Sequence, residues 1–386
     1  MSDNRHMESR CLLCCSESLK DIPEGQGLPG VTSDSKPWPR AGAFRVCRHC
    51  GHVQKHLSPQ WLADIDRIYA AYEMYTASGG GEQAVFQGEA PAPRSVRLLE
   101  AVLALTPLPS TGRLLDVGCG NGAFLRSFGA RLPEWELYGH EPQANRCESI
   151  LTLPGVKGFL HGPIEELTGG FDVVSMLHVI EHLLDPVQTL RTVFSMLRPG
   201  GLLLIQAPNL AANPFDLPVT DHCSHFTLDM LEYAARLAGF GLLASSDAWI
   251  QKEVGVLALR PELPAPMPEN HASGPGGDLL SRHLSWLVTF AGQARNEATR
   301  SELGIFGTSN AATWLTQELN GEVQFFVDED PRRHGNTHLG RPILAPADVP
   351  PGCAVYLAFP RNVAEGIRKR LGRTYPELRL ILPPAA

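Results

Sequence analysis

Two hydrophobic rhythms divide this chain. Between residues 58 and 105, apolar positions recur three and four apart, at Trp61, Leu62, Ile65 and Ile68, then at Val96, Leu98, Leu99, Val102 and Leu103. That spacing predicts amphipathic helices. The stretch from Ala71 to Gly81 between them ends in three glycines and predicts a loop. From 112 to 259 the rhythm changes, and short apolar runs alternate with amphipathic ones. Leu114–Val117, Glu136–His140, Phe171–Leu177 and Gly201–Gln206 read as strands, and Ala123–Phe128 as a helix. Strands spaced by helices at this pitch predict a parallel sheet covered on both faces. Pro261–Gly277 is rich in proline and glycine and reads as a linker. Beyond it come a helix near Leu279–Thr299, a strand at Gly304–Gly307, a helix at Ala311–Leu319 and a strand at Val323–Asp328. No internal repeat interrupts this order. The expected organisation is a module over 1–57, an α/β domain over 58–260, a linker over 261–278 and a second α/β domain over 279–386.

Composition narrows the classes. The 386 residues are 43% hydrophobic and 19% charged, enough to build sizeable cores. Lys+Arg 33 against Asp+Glu 41 gives a net charge of −8. Phosphate-rich partners favour a basic face, so neither a nucleic-acid partner nor a membrane surface is expected. No apolar N-terminal run marks a secretory signal, and no stretch reaches the roughly 18 apolar residues of a membrane helix. A cytoplasmic protein is expected.

Five of the nine cysteines fall within the first 50 residues. Cys11-Leu-Leu-Cys14 and Cys47-Arg-His-Cys50 are two C-x-x-C turns 32 residues apart. Four thiolates on two such turns can close a tetrahedron around Zn²⁺, supplying folding free energy that a segment poor in apolar residues lacks. Cys15 is an alternative to Cys14 through C-x-x-x-C spacing. His49, His52 and His56 flank the second turn and read as exposed bystanders.

Leu114-Leu-Asp116-Val-Gly118-Cys-Gly120-Asn-Gly122 lies between a strand and a helix. A G-x-G-x-G turn alone fits many nucleotides. Asp116, two residues before the first glycine, suits an ammonium rather than a pyrophosphate. Glu141 follows Gly122 by 19 residues, where a ribose-binding carboxylate belongs. S-adenosylmethionine carries ammonium, ribose and adenine together. Residues 112–245 thus resemble the class I S-adenosylmethionine-dependent methyltransferases, with Leu197-Arg-Pro-Gly-Gly201 as the turn before the fifth strand. The resemblance implies a Rossmann-like fold in which Gly118, Gly120 and Gly122 admit the cofactor closely and Asp116 orients its amino end. Gly162-Pro163-Ile164 stands where the family often has an acid facing adenine, which leaves backbone groups and Ile164 for that contact. Leu177, at the end of the fourth strand, completes the expected cofactor pocket.

His178-Val-Ile-Glu181-His182 matches a zinc-peptidase string, but it leaves an apolar strand and runs into Leu-Leu-Asp-Pro, as class I methyltransferases commonly do. A metal-assisted O-methyltransferase would use His178, Glu181 and His182 on a helical turn. Past the fifth strand, Thr220-Asp221-His222-Cys223-Ser224-His225 places two histidines and an acid on the ligand-binding edge. His222 is the expected base, Asp221 its orienting partner and His225 the fallback.

The whole order resembles the sugar C-methyltransferases that act on nucleotide-linked keto-deoxysugars. The resemblance rests on the cysteine turns, on Phe44–Gln54, on Tyr72-Glu-Met-Tyr75-Thr-Ala-Ser78 and on the 219–225 loop, where Val219 replaces the family's tyrosine. It implies a zinc-binding N-terminal module, a methyltransferase domain and a C-terminal Rossmann-like α/β domain. It also implies Tyr75 and Ser78 over the cofactor, and a small-molecule acceptor such as a nucleotide-sugar. In the last domain, Phe306-Gly-Thr308-Ser309-Asn310 opens a helix and offers amides to an anion. A small-molecule O-methyltransferase and a nucleic-acid methylase with a zinc ribbon are the competing readings.

Overall fold

The computed structural model describes residues 8–72, 82, 84–85, 92–266, 268 and 276–385. Its central sheet has seven strands, ordered Val156–His161, Glu136–Glu141, Arg113–Val117, Phe171–Leu177, Leu197–Pro208, Glu253–Leu259 and Gly241–Ser246. The first five are parallel, and Glu253–Leu259 runs antiparallel to both neighbours. Residues 201–208 are buried throughout, as a strand covered on both faces must be. Helices Arg94–Leu105, Ala123–Arg131, Pro186–Met196 and Leu228–Leu237 present their apolar sides to buried cores. Asp185 starts one of them by accepting from the Gln188 amide at 3.0 Å. Strand order reverses between Arg113–Val117 and Phe171–Leu177, so the carboxyl ends of these strands open a crevice.

The C-terminal sheet has six strands, ordered Thr337–His338, Arg341–Leu344, Val323–Val327, Leu303–Phe306, Ala354–Leu357 and Arg379–Ile381. Helix Gly276–Ala298 leads into it. That helix starts inside the stretch read as a 261–278 linker, which corrects the boundary. Gly276 is there for close approach, since a Cβ on it would overlap the Gly51 carbonyl.

The N-terminal segment does not close on itself. Its antiparallel sheet is Leu19–Ile22, Phe44–Cys47, Val53–Lys55 and then Ser224–His225, a strand lent by the loop that follows the fifth central strand. The Val31 amide donates to the Pro218 carbonyl at 2.9 Å, and the Thr220 amide to the Val31 carbonyl at 2.8 Å. Residues 8–57 are therefore built partly around the 209–226 loop. Phe215 in that loop meets Trp286 and Phe290 at ring distances of 5.5 and 5.1 Å, which ties it to the C-terminal part as well. All three parts of the chain grip one loop. Among the described residues, no helix is long and apolar enough to cross a membrane.

Candidate active site

A cleft of about 360 Å³ runs along the carboxyl edge of the central sheet. One end is lined by Asp116, Gly118, Gly120 and Leu177, the middle by Asp216, Glu181, His182 and His222, and the far end by Thr308, Ser309, Asn310 and Arg333. The sequence-derived residues thus meet in one place, with some exceptions.

At the first end the strand Arg113–Val117 delivers Asp116 into the turn. Gly118, Gly120 and Gly122 all have positive φ, 67°, 56° and 76°, so the turn requires glycine. A Cβ on Gly118 would also overlap Val179. Asp116 is buried and accepts from the Ser175 hydroxyl at 2.6 Å. Burial lifts its pKa to about 7, against the Ser175 hydrogen bond and with help from Glu141 and Glu82. Glu141 accepts from the Gly120 amide at 2.5 Å and lies beside the cleft lining. Ile164 is buried in the core next to that end and is likewise outside the lining. Tyr75 and Ser78 lie outside the described residues.

The middle of the cleft corrects the histidine assignments. Nδ1 of His222 lies 2.7 Å from Oδ1 of Asp216, not against Asp221. Asp221 is turned toward the N-terminal segment, accepting from the Ser33 amide at 2.8 Å and the Ser33 hydroxyl at 2.5 Å. His225 is no fallback for the cleft. It is buried in the fourth strand of the N-terminal sheet, 2.5 Å from the other oxygen of Asp216, and does not line the cleft. Burial alone would raise the Asp216 pKa, but the two imidazoles drive it well below the usual carboxylate range. Burial presses His222 toward neutrality, and Asp216 outweighs it and raises its pKa. Lys55, wholly buried, donates to the Leu217 carbonyl at 2.8 Å and fixes the residue after Asp216. His52 is also buried, 3.1 Å from the Ser224 hydroxyl, rather than an exposed bystander.

The H-x-x-E-H string forms no helix carrying both histidines. Residues Ile180–His182 make a single 3₁₀ turn, and His178 precedes it at φ 56°. His178 points to a different cluster, 3.2 Å from Glu253 and 2.9 Å from Arg94. Burial and Arg94 press its pKa down, but Glu253 and Glu181 raise it to about 9. The Cys223 amide donates to the Glu181 carbonyl at 2.8 Å, which brings the 181–182 turn beside His222.

At the far end, Ser309 and Asn310 open helix Asn310–Glu318. Arg333 donates to Thr308 at 2.6 Å and pairs with Asp328 at 3.0 Å. Ser33, Asp34 and Ser35 of the N-terminal segment also line the cleft. Sequence reasoning passed over Asp216, Arg333, Glu82 and Arg94. An acid six residues before His222 was the available signal for Asp216, but its pairing depends on how the loop is held.

The sulfurs of Cys11, Cys14, Cys47 and Cys50 lie within 4.8 Å of one another, while Cys15 is exposed and apart. Cys11 with Cys50 and Cys14 with Cys47 are 3.6 Å apart, so no disulfide joins them. A closed four-sulfur set without an open position suits a structural Zn²⁺.

A family model described as Methyltransferase domain matches residues 92–245. Trans-aconitate 2-methyltransferase of Deinococcus radiodurans is 31% identical over 141 residues, 36% of this chain and 51% of that protein. Ubiquinone biosynthesis O-methyltransferase of Xanthomonas campestris pv. campestris is 31% identical over 146 residues, 36% of this chain and 56% of that protein. A tRNA U34 carboxymethyltransferase of Desulfotalea psychrophila is 30% identical over 105 residues, covering 25% and 32%. The chain spans about half the length of the first two relatives. Among solved structures, an S-adenosylmethionine dependent methyltransferase from Mesorhizobium loti aligns with a TM-score of 0.35 at 17% identity, covering 42% of this chain and 98% of that one. Residues 92–245 thus match a methyltransferase domain, and the parallel sheet expected from the strand pattern is present there in a mixed α/β, Rossmann-like fold.

Proposed function

We propose that this chain is an S-adenosylmethionine-dependent methyltransferase whose acceptor is a small molecule, a sugar carried on a nucleotide being the class that best fits the cleft. The observation that carries the proposal is the continuity of the cleft from Asp116 and Gly118 past His222 to Thr308 and Arg333. Asp116 holds the ammonium end of the cofactor, Gly118, Gly120 and Gly122 let the backbone approach it, and Glu141 holds the ribose. Leu177 flanks the adenine side, with Ile164 packed in the core outside the lining. The acceptor lies across the middle, its nucleotide phosphates against the amides at Ser309 and Asn310 and the Arg333 guanidinium.

Methyl transfer needs the acceptor atom aligned behind the S–CH3 bond, and it needs relief of the proton that the acceptor carries. His222, oriented through Nδ1 by Asp216, presents its other nitrogen to that point. Asp221 contributes by fixing Ser33 against the loop. Cys11, Cys14, Cys47 and Cys50 hold one structural Zn²⁺ that keeps the N-terminal sheet, and with it the strand Ser224–His225, in place.

The deciding experiment is product mass spectrometry with S-adenosylmethionine and a panel of nucleotide-sugars, free sugars, small organic acids and tRNA. A mass gain of one methylene on a nucleotide-sugar is expected. A gain on tRNA, or on an acid with no nucleotide, would overturn the acceptor class while leaving methyl transfer standing.

A further inference from the structure

We propose that Glu181, His182 and His222 form a binding site for one divalent transition-metal ion, open toward the acceptor. The proposal deepens the methyl-transfer reading and rests on it. One ligand atom from each residue lies within 4.8 Å of the others, a separation that a single ion spans. The set differs from the string His178, Glu181 and His182, because the fold brings His222 in and turns His178 toward Glu253.

Three observations carry the site. Glu181 is 1% exposed, and apart from His178 its carboxylate oxygens have no hydrogen-bond partner among the described residues. Its nearest charged contact is His178 Nδ1 at 3.3 Å. The ion pair with His178 offsets part of the cost of burying this carboxylate, and a cation on its open oxygens would offset more. Next, both imidazoles are anchored by Nδ1. His222 Nδ1 meets the Asp216 carboxylate at 2.7 Å, and His182 Nδ1 meets the Asp221 carbonyl at 2.9 Å. These oxygens only accept, so in the neutral form of each ring Nδ1 carries the proton and Nε2 the lone pair that an ion would take. Metal-ligating histidines are held in this way, by a carboxylate or carbonyl behind the ring. Finally, all three residues line the cleft, so an ion there keeps positions free for an acceptor oxygen. Two imidazoles and one carboxylate suit borderline divalent ions such as Zn²⁺, Co²⁺ or Mn²⁺ rather than Ca²⁺ or Mg²⁺.

In the loaded protein, the ion takes over the relief of the acceptor's proton, and His222 serves as ligand instead of free base. The acceptor oxygen binds the ion, its proton affinity falls and the proton leaves to water. The acceptor's electron pair then forms the new bond to the methyl carbon as the S–CH3 bond breaks, its electrons returning to sulfur to give the neutral thioether.

The test is Co²⁺ titration of protein holding one equivalent of zinc, which fills the four-cysteine cluster. One further ion per chain is expected by calorimetry, with visible absorption lacking thiolate charge-transfer bands. Glu181→Gln should weaken Co²⁺ binding at least about tenfold, and Asp216→Asn, behind His222, about 10–100-fold. Titration of each variant with S-adenosylhomocysteine shows whether its central domain is folded, and His222→Asn serves if Glu181→Gln fails that check. No cobalt beyond the cysteine cluster, or affinity unchanged in both Glu181→Gln and His222→Asn, would overturn the site. Protein that binds S-adenosylhomocysteine but not cobalt loses only this inference; protein that binds neither loses the methyltransferase reading as well.

Discussion

Oδ1 of Asp216 receives the Nδ1–H of His222 at 2.7 Å, deep in a loop that all three parts of the chain hold. The pairing fixes which nitrogen of His222 faces the cleft. His222→Ala should therefore reduce turnover by about 10²–10⁴-fold with cofactor affinity little altered. Asp216→Asn should cost at least about tenfold, because the amide can turn its NH₂ toward Nδ1 and favour the wrong tautomer. Steady-state kinetics on an identified acceptor, paired with calorimetry of the cofactor, checks both. Near-full turnover in His222→Ala would remove it from the reaction.

Asp116 should tie cofactor affinity to pH. Its folded-state pKa of about 7 lies above the ordinary 3.8. Between those values the folded protein keeps a proton that the unfolded chain has released, so this group's ionisation costs stability progressively as pH rises from about 4 to about 7. Cofactor binding runs the opposite way, since the ammonium needs the carboxylate. Affinity should climb between about pH 6 and about pH 8, with proton release on binding, and Asp116→Asn should flatten the climb. Calorimetry in buffers of different ionisation enthalpy measures both quantities.

Zinc removal should act at a distance. The strand Ser224–His225 pairs with Val53–Lys55, and Cys47 and Cys50 flank the turn before that strand. Chelation, or Cys47→Ser, should loosen the N-terminal sheet and lower turnover, while binding of S-adenosylhomocysteine to the central sheet persists. Hydrogen exchange across residues 44–55 and 219–226 should show both segments losing protection together.

Arg333 should report on the acceptor. It donates to Thr308 at the mouth of the helix that opens at Asn310. Arg333→Ala should raise KM for a nucleotide-linked acceptor about tenfold or more with kcat little changed, as expected for a lost charged hydrogen bond. A KM equal to wild type would take the phosphates away from this end of the cleft.

The sequence made some of this legible and hid the rest for physical reasons. Asp116, the three glycines and the cysteine pairs sit in short local motifs, where residue type and spacing already state the geometry. The strands of the central sheet announced themselves as apolar runs. Asp216 stayed hidden because its partnership with His222 depends on the loop's closure over Phe215 and Lys55, contacts from 70 residues downstream and over 150 upstream. Asp221 looked the better partner because it is adjacent in sequence, yet the turn sends its side chain to Ser33. The 261–278 linker was overextended because glycines at a close helix contact read the same as glycines in a loop.

The central claim is that the turn Asp116–Gly122 binds S-adenosylmethionine for methyl transfer. Calorimetric titration of the wild-type protein and of Asp116→Ala with S-adenosylhomocysteine tests it most directly. The expected result is a 1:1 complex with the wild type, weakened by about 1.5–3 kcal/mol in the variant. No binding by folded wild-type protein, or equal affinity in the two proteins, would contradict it.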